Sequence, residues 1–324
     1  MCSEVFNSCL QDHKPLLAVI ESSHCLTEQT WQDLHLNSVL GEPLQVKSFL
    51  MHPCGREELL ARQRIFAAIR DSEDDSVYKA MVACRTALFT LRRSLDIWKD
   101  ARTFVEQTYL FVEVLRAYLA ARQSLKALHG GGRLQEVAFH FQNMDDAPLS
   151  TAIEKAQVIM EHISHGHLSY GDRQWTFATT EAQGRETLFE ELSTCAEKLG
   201  LQFAVKERSP IYPDPYISEA FRALYKREYE QLEKILKPFS QVNFEELLDY
   251  IPSLDFYLQM EDFYRRAEKR GLVRCIPVIS DEKQFCIQEM YDFTLLSSDA
   301  PSIVPNPTFF TSEENGNPFS PFFK

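Results

Sequence analysis

No phosphate-binding loop occurs in this chain. None of its 11 glycines opens the pattern G-x-x-x-x-G-K-[S/T], and none falls in G-x-G-x-x-G. Without a cradle of backbone amides and its lysine, these residues are not expected to hydrolyse a nucleotide by themselves. The nucleophile elbow G-x-S-x-G is missing too. His129-Gly130-Gly131-Gly132 has the composition of an oxyanion-hole loop, but it lacks the serine that such a loop serves. It reads instead as a helix terminator, because glycine permits the left-handed backbone that a helix end needs.

Cys-x-x-Cys is also absent. The cysteines, Cys2, Cys9, Cys25, Cys54, Cys84, Cys195, Cys275 and Cys286, are scattered among apolar neighbours. They read as reduced core residues, not as a zinc site or a disulfide framework. No unbroken apolar run reaches the roughly 18 residues of a membrane span. The first ten residues lack the basic start and apolar stretch of a secretory signal, so a cytoplasmic chain is expected.

Excess positive charge is lacking as well. Lys and Arg number 34 against 47 Asp and Glu, for a net charge of −13. An overall basic footprint for nucleic acid is therefore ruled out, although a local basic face is not. What the chain does have is a hydrophobic content of 44% over 324 residues. That suffices for a sizeable core in one large or roughly two ordinary domains.

The apolar spacing predicts a mainly α fold: long antiparallel helices in an elongated bundle, with a small β-containing piece at the C-terminal end. Three parts are expected: a lead-in over 1–54 with a short strand or helix, a helical core over 55–271, and first strands over 272–324. Residues 57–69 place Leu59, Leu60, Ile65 and Ile69 at helical spacing. The acidic run 71–76 reads as the capped start of the next helix. That helix carries Val77, Met81, Cys84, Leu88, Leu91, Leu95 and Trp98 at alternating spacings of four and three, a heptad seam. A second long helix is expected from about 103 to 128, and others over 148–164 and 186–199.

Residues 168–180 alternate like a hairpin, and the three prolines of 209–215 mark a loop. Phe221, Tyr225, Tyr229, Leu232 and Leu236 form the stripe of a helix that Ser218 would cap. The last helical segment should span 243–270, with a kink or a break near Tyr250 and Ile251 because Pro252 sits inside it, and should be ended by Gly271. Strands are expected over 272–279 and 284–289, and extended chain over 301–310.

Several constellations are candidates for chemistry or binding. His162, His165 and His167 could ligate a metal, but no carboxylate or thiol lies at matching spacing, so a solvated helix end is expected. Arg265, Arg266, Lys269, Arg270 and Arg274 could meet a phosphate backbone. Basic residues in a last helical turn also complement the helix dipole. Phe221, Tyr225 and Tyr229 could stack on bases, although helical spacing points to core packing. The adjacent pairs Glu261/Asp262 and Glu245/Glu246 point apart on a helix, so neither is an acid/base pair. No catalytic set and no metal site emerges.

Three stretches together resemble the MutS family of DNA mismatch-repair ATPases. The first is Gly41-Glu42 through Phe49-Leu50, then Pro53-x-Gly55-Arg56 and Leu59-Leu60-x-Arg62-Gln63-x-Ile65, similar to that family's approach to its helical lever. The second is Ile251-Pro252-Ser253-Leu254-Asp255-Phe256-Tyr257 through Ala267, followed by Cys275-Ile276-Pro277-Val278-Ile279. It looks like the long helix returning to the ATPase domain. The third, Ile303-Val304-Pro305-Asn306, resembles the V-P-N segment ahead of the phosphate loop. Leu26-Thr27 through Asp33-Leu34 is similar to the family's lead-in.

The resemblance implies a lever and core region, truncated before the phosphate loop, that couples an ATPase domain to DNA. It also implies ATP and Mg²⁺ as cofactors of the full-length family, and homodimerisation through an ATPase domain not contained in these residues. DNA is a candidate partner, and no membrane is implied. By resemblance, Ile303, Val304 and Asn306 would fall at the adenine pocket; Arg265, Arg266, Lys269 and Arg270 are candidate DNA or phosphate contacts on their clustering alone. The competing expectation is a self-contained helical adaptor that binds another protein and has no nucleotide or DNA role.

Overall fold

The heptad seam folds as a single helix. The computed structural model describes residues 16, 26–33, 36, 44–52, 54–164, 166–171, 174–179, 222–223, 225–279, 284–291 and 306–311. In chain order the elements are α1 (Glu28–Asp33), α2 (Leu44–Met51), α3 (Arg56–Asp71), a 3₁₀ turn (Glu73–Asp75), α4 (Ser76–Lys99) and α5 (Phe104–Lys126). Next come α6 (Gly132–Gln142), α7 (Ala147–Ser164), β1 (Gly166–Gly171) and β2 (Gln174–Thr179). The remainder is α8 (Lys226–Leu236), 3₁₀ turns at Lys237–Phe239 and Phe244–Asp249, α9 (Tyr250–Lys269), β3 (Gln284–Met290) and β4 (Asn306–Thr311). The fold is thus mainly α, with two antiparallel two-stranded ribbons. Among the described residues no helix is long and apolar enough to cross a membrane.

Two compact units divide the chain. One comprises Met1–His13, Thr86–Lys126 and His140–Leu248; the other comprises Lys14–Arg85, Ala127–Phe139 and Asp249–Lys324. In the first unit, α5 buries Phe111, Leu115, Tyr118, Ala121 and Leu125. On α8, Tyr229, Leu232 and Leu236 face inward, as the stripe predicts. That helix begins at Lys226, with Tyr225 non-helical at φ −102° and ψ 37°; Ser218 and Phe221 lie outside the described residues. Edge-to-face contacts of Phe244 with Phe111 (5.9 Å) and Tyr118 (5.1 Å) tie the 244–249 turn to α5.

In the second unit, α3 and α9 supply much of the core. α4 is shared between the units: Val77, Met81 and Cys84 are buried in the second, and Leu88, Leu91 and Leu95 are buried in the first, where Trp98 is half-buried. Each fully buried leucine of the seam contributes about 1.5–3 kcal/mol. The glycine run stops the chain after α5 as expected, with φ of +108°, +84° and +55° at Gly130, Gly131 and Gly132. The spacing gave no warning that α6 would start at Gly132.

Four expectations change. The inward face of α3 is Glu58, Arg62, Ile65 and Ile69, and Leu59 is exposed; the two charged residues can be buried because they neutralise each other. Ser72 does not cap α4. Its hydroxyl donates to the Ile69 carbonyl at 2.9 Å, at the end of α3, and Asp74 and Asp75 adopt left-handed backbone at φ 51° and 57°. The break expected near Tyr250 and Ile251 is present: the 3₁₀ turn ends at Asp249 and α9 starts at Tyr250, with Pro252 in its third position, where its missing N–H has no intrahelical partner to lose.

Residues 272–279 form no strand; a strand needs a neighbouring strand with which to form a ladder. The cysteines are not uniformly core, since Cys84 is buried but Cys275 and Cys286 are exposed.

Gly271, at φ +75°, ends α9 as expected, and its N–H donates to the Glu268 carbonyl at 2.9 Å. The 168–180 hairpin is present as β1 against β2, with Tyr170 opposite Trp175. β3 pairs with β4, Cys286 opposite Phe309, with an irregularity between Ile287 and Met290. The helix expected over 186–199, the 209–215 loop and residues 301–305 lie outside the described residues.

Candidate functional site

The first two family-like stretches come together in the second unit. Phe66 of α3 packs edge-on against Tyr257 (5.2 Å), Phe256 (6.1 Å) and Tyr264 (5.9 Å) of α9. Phe49 of α2 meets Phe256 at 6.0 Å. The Arg62 guanidinium lies 5.7 Å from the Phe256 ring centre. Gln63 Nε2 donates a 2.8 Å hydrogen bond to the Pro277 carbonyl, 214 residues away. Arg62 and Gln63 of the first stretch are thus joined to Phe256 and Pro277 of the second. The third stretch is partly visible: Asn306 opens β4 opposite Met290, while Ile303 and Val304 lie outside the described residues.

Below this aromatic layer lies an ionic one. Glu58, 5% exposed, accepts from Arg62 Nε at 2.9 Å and faces Arg133 Nη1 at 2.5 Å. Arg133 also donates to the Leu16 carbonyl at 3.3 Å. Two cations around one buried carboxylate satisfy a charge that would be costly alone. On α9, Asp255 pairs with Arg85 of α4.

The candidate phosphate contacts differ in how far they are already committed. Arg265 donates to Glu261 at 3.0 Å and to Asp75 at 2.9 and 3.2 Å, and lies 4.1 Å from the Tyr78 ring centre. Arg274 pairs with Glu261 at 2.7 Å and Glu268 at 2.8 Å. Arg266 stands 5.8 Å from the Phe263 ring centre, Arg270 follows the end of α9, and Lys269 is exposed in the last turn. Glu261 is 2% exposed between its two arginines. Its neighbour Asp262 accepts from the Tyr78 hydroxyl at 2.7 Å. Burial, then that hydrogen bond, pushes the Tyr78 phenol up to about 12.

The remaining candidates stay apart. His162 is exposed and 3.9 Å from Glu228, His165 lies outside the described residues, and His167 is placed in β1 opposite Ala178. Among the described residues no group of three or more His, Cys, Asp or Glu is placed to hold a metal ion. Glu245 pairs with Lys99 at 2.5 Å, and Glu246 accepts from Asn243 at 2.7 Å. Beside the glycine turn, His129 Nε2 lies 3.2 Å from the Ser76 hydroxyl and its Nδ1 lies 3.0 Å from the Ala127 carbonyl. That contact ties the turn to the first residue of α4, and nothing in the sequence pattern marked it.

No protein-family model matches the chain, and no curated protein matches it.

Proposed function

We propose that this chain is the helical lever of a MutS-like DNA mismatch-repair protein. In this reading α3, α4, α5 and α9 belong to an elongated antiparallel bundle that carries position between an ATPase domain and DNA. The observation that supports it is the convergence of the two family-like stretches, through Gln63 on Pro277 and Arg62 on Phe256. A resemblance assembled from distant pieces gains weight when those pieces pack together. Helices packed this closely move as bodies and switch between discrete arrangements, which suits a mechanical role.

Catalysis would belong to a phosphate loop, a motif that these 324 residues do not contain. Ile303, Val304 and Asn306 would contribute to an adenine pocket once that loop is supplied, with ATP and Mg²⁺ as cofactors and a homodimer as the working assembly. The setting is cytoplasmic. Of the basic cluster, Arg265 is held by Asp75 and Glu261, whereas Lys269 is exposed in the last turn of α9 and is the better placed of the two for DNA phosphates.

The test is direct measurement on the 324-residue chain: ATP turnover, and fluorescence anisotropy with a labelled duplex across a salt series. Turnover at the level of a buffer blank and no submicromolar duplex binding are expected. Steady ATP hydrolysis, or submicromolar binding that weakens with salt, would overturn the division of labour.

A further inference from the structure

We propose that residues 272–279 are a detachable strap, clamped by Arg274, that lifts from α3 and α9 as a unit while both helices stay folded. The segment forms neither helix nor strand. Little apolar surface holds it down. Leu272 is 8% exposed, but Val273 is 73% and Val278 95% exposed, and Cys275 is exposed. Its attachments are polar: the Leu272 N–H on the Ala267 carbonyl, the Pro277 carbonyl on Gln63, and Arg274 on Glu261 and Glu268.

The clamp is built so that it can open. A buried carboxylate that loses its sole cation is left with an uncompensated charge, and that usually keeps such pairs shut. Glu261 has a second partner, because Arg265 Nε sits 3.0 Å from Oε1 while Arg274 Nη1 holds Oε2. When Arg274 leaves, Glu261 stays paired and the freed guanidinium is hydrated. Lifting the strap uncovers the Phe66 and Tyr264 rings and the Gln63 amide, which line the small cleft beneath Cys275, Ile276 and Pro277. Segments with little buried apolar surface open independently of the core they rest on. The inference stands on these contacts and not on the family resemblance.

Thermolysin cuts on the amino side of apolar residues that no proline follows, so Val273, Val278 and Ile279 offer it sites once the strap is free. Cleavage of the intact chain under native conditions, with fragment ends read by mass spectrometry, follows the population of the open form when reclosing outpaces cleavage. Arg274→Gln should speed cuts within 272–279 about tenfold, while cuts within α3 and α9 stay within about twofold of the parent. Arg265→Gln, which leaves Arg274 on Glu261, should leave the strap cut within about twofold. An unchanged strap rate in Arg274→Gln would overturn the proposal. So would equal acceleration in strap and helices, or opening by Arg265→Gln as large as by Arg274→Gln.

Discussion

Glu58 and Arg62 sit one turn apart on the inward face of α3, joined at 2.9 Å and 5% and 8% exposed. Hydropathy alone assigns that face to leucines. What occupies it is an ion pair whose second cation, Arg133, arrives from α6.

Removing the carboxylate should therefore be expensive. Glu58→Ala leaves Arg62 and Arg133 around a site with no anion, a loss expected to cost about 3–5 kcal/mol. Replacing Glu58 and Arg62 together by leucine should cost less, because only Arg133, partly exposed and still on the Leu16 carbonyl, then loses its anion. Urea unfolding of the two variants measures the difference. Equal losses would mean that packing, and not charge, sets the value of this face.

The turn between α3 and α4 should respond in the opposite direction. Asp74 holds φ at 51°, a backbone that glycine adopts without penalty. Asp74→Gly is expected to raise stability by about 0.5–1 kcal/mol and Asp74→Val to lower it by more than about 1 kcal/mol. A thermal melt that ranks valine above glycine would contradict the left-handed turn.

Two neighbouring glycines should differ. A Cβ on Gly130 would meet Val77 Cγ2 at 3.0 Å and Ala68 Cβ at 3.1 Å, whereas at Gly131 nothing lies within 4 Å. Both positions carry positive φ, so alanine strains either one. Only Gly130→Ala also collides with α3 and α4. Expected losses are about 3 kcal/mol at 130 and about 1 kcal/mol at 131, read from urea midpoints.

Alkali should unfold the chain over a definable range. Burial pushes the phenols of Tyr109, Tyr118 and Tyr225 up to about 12, as it does Tyr78 with help from its bond to Asp262. An unfolded tyrosine ionises near 10. Above that value the unfolded chain binds fewer protons than the folded one, so stability falls as pH rises. It should be intact below pH 10 and lost progressively towards 12. Phenolate absorbance and far-UV circular dichroism followed together should change in the same pH range. Full ionisation near pH 10 with the helices intact would show these rings to be solvated.

The sequence makes α4 legible because its seam repeats over several heptads and each seam residue from Val77 to Leu95 is buried. The stop at Gly130 was legible because a run of positive φ needs glycine. The inward face of α3 was not, since a charge that brings its own partner looks polar in any hydropathy pattern. Residues 272–279 read as a strand on composition, but a strand requires a neighbour, and pairing is decided elsewhere in the chain. The candidate site was half legible. Arg265 and Arg274 stand out as a basic cluster, while the partner that commits Arg265, Asp75, is 190 residues away. The convergence of Gln63 on Pro277 could be seen only in three dimensions.

The central claim is that these helices belong to a MutS-like lever, and sequencing the native transcript through and beyond the codon for Lys324 tests it most directly. The account predicts an open frame in which G-x-x-x-x-G-K-[S/T] follows within a few tens of codons, about the length of a strand and its loop. A frame that closes with no phosphate loop would contradict it and leave a free-standing helical adaptor as the better description.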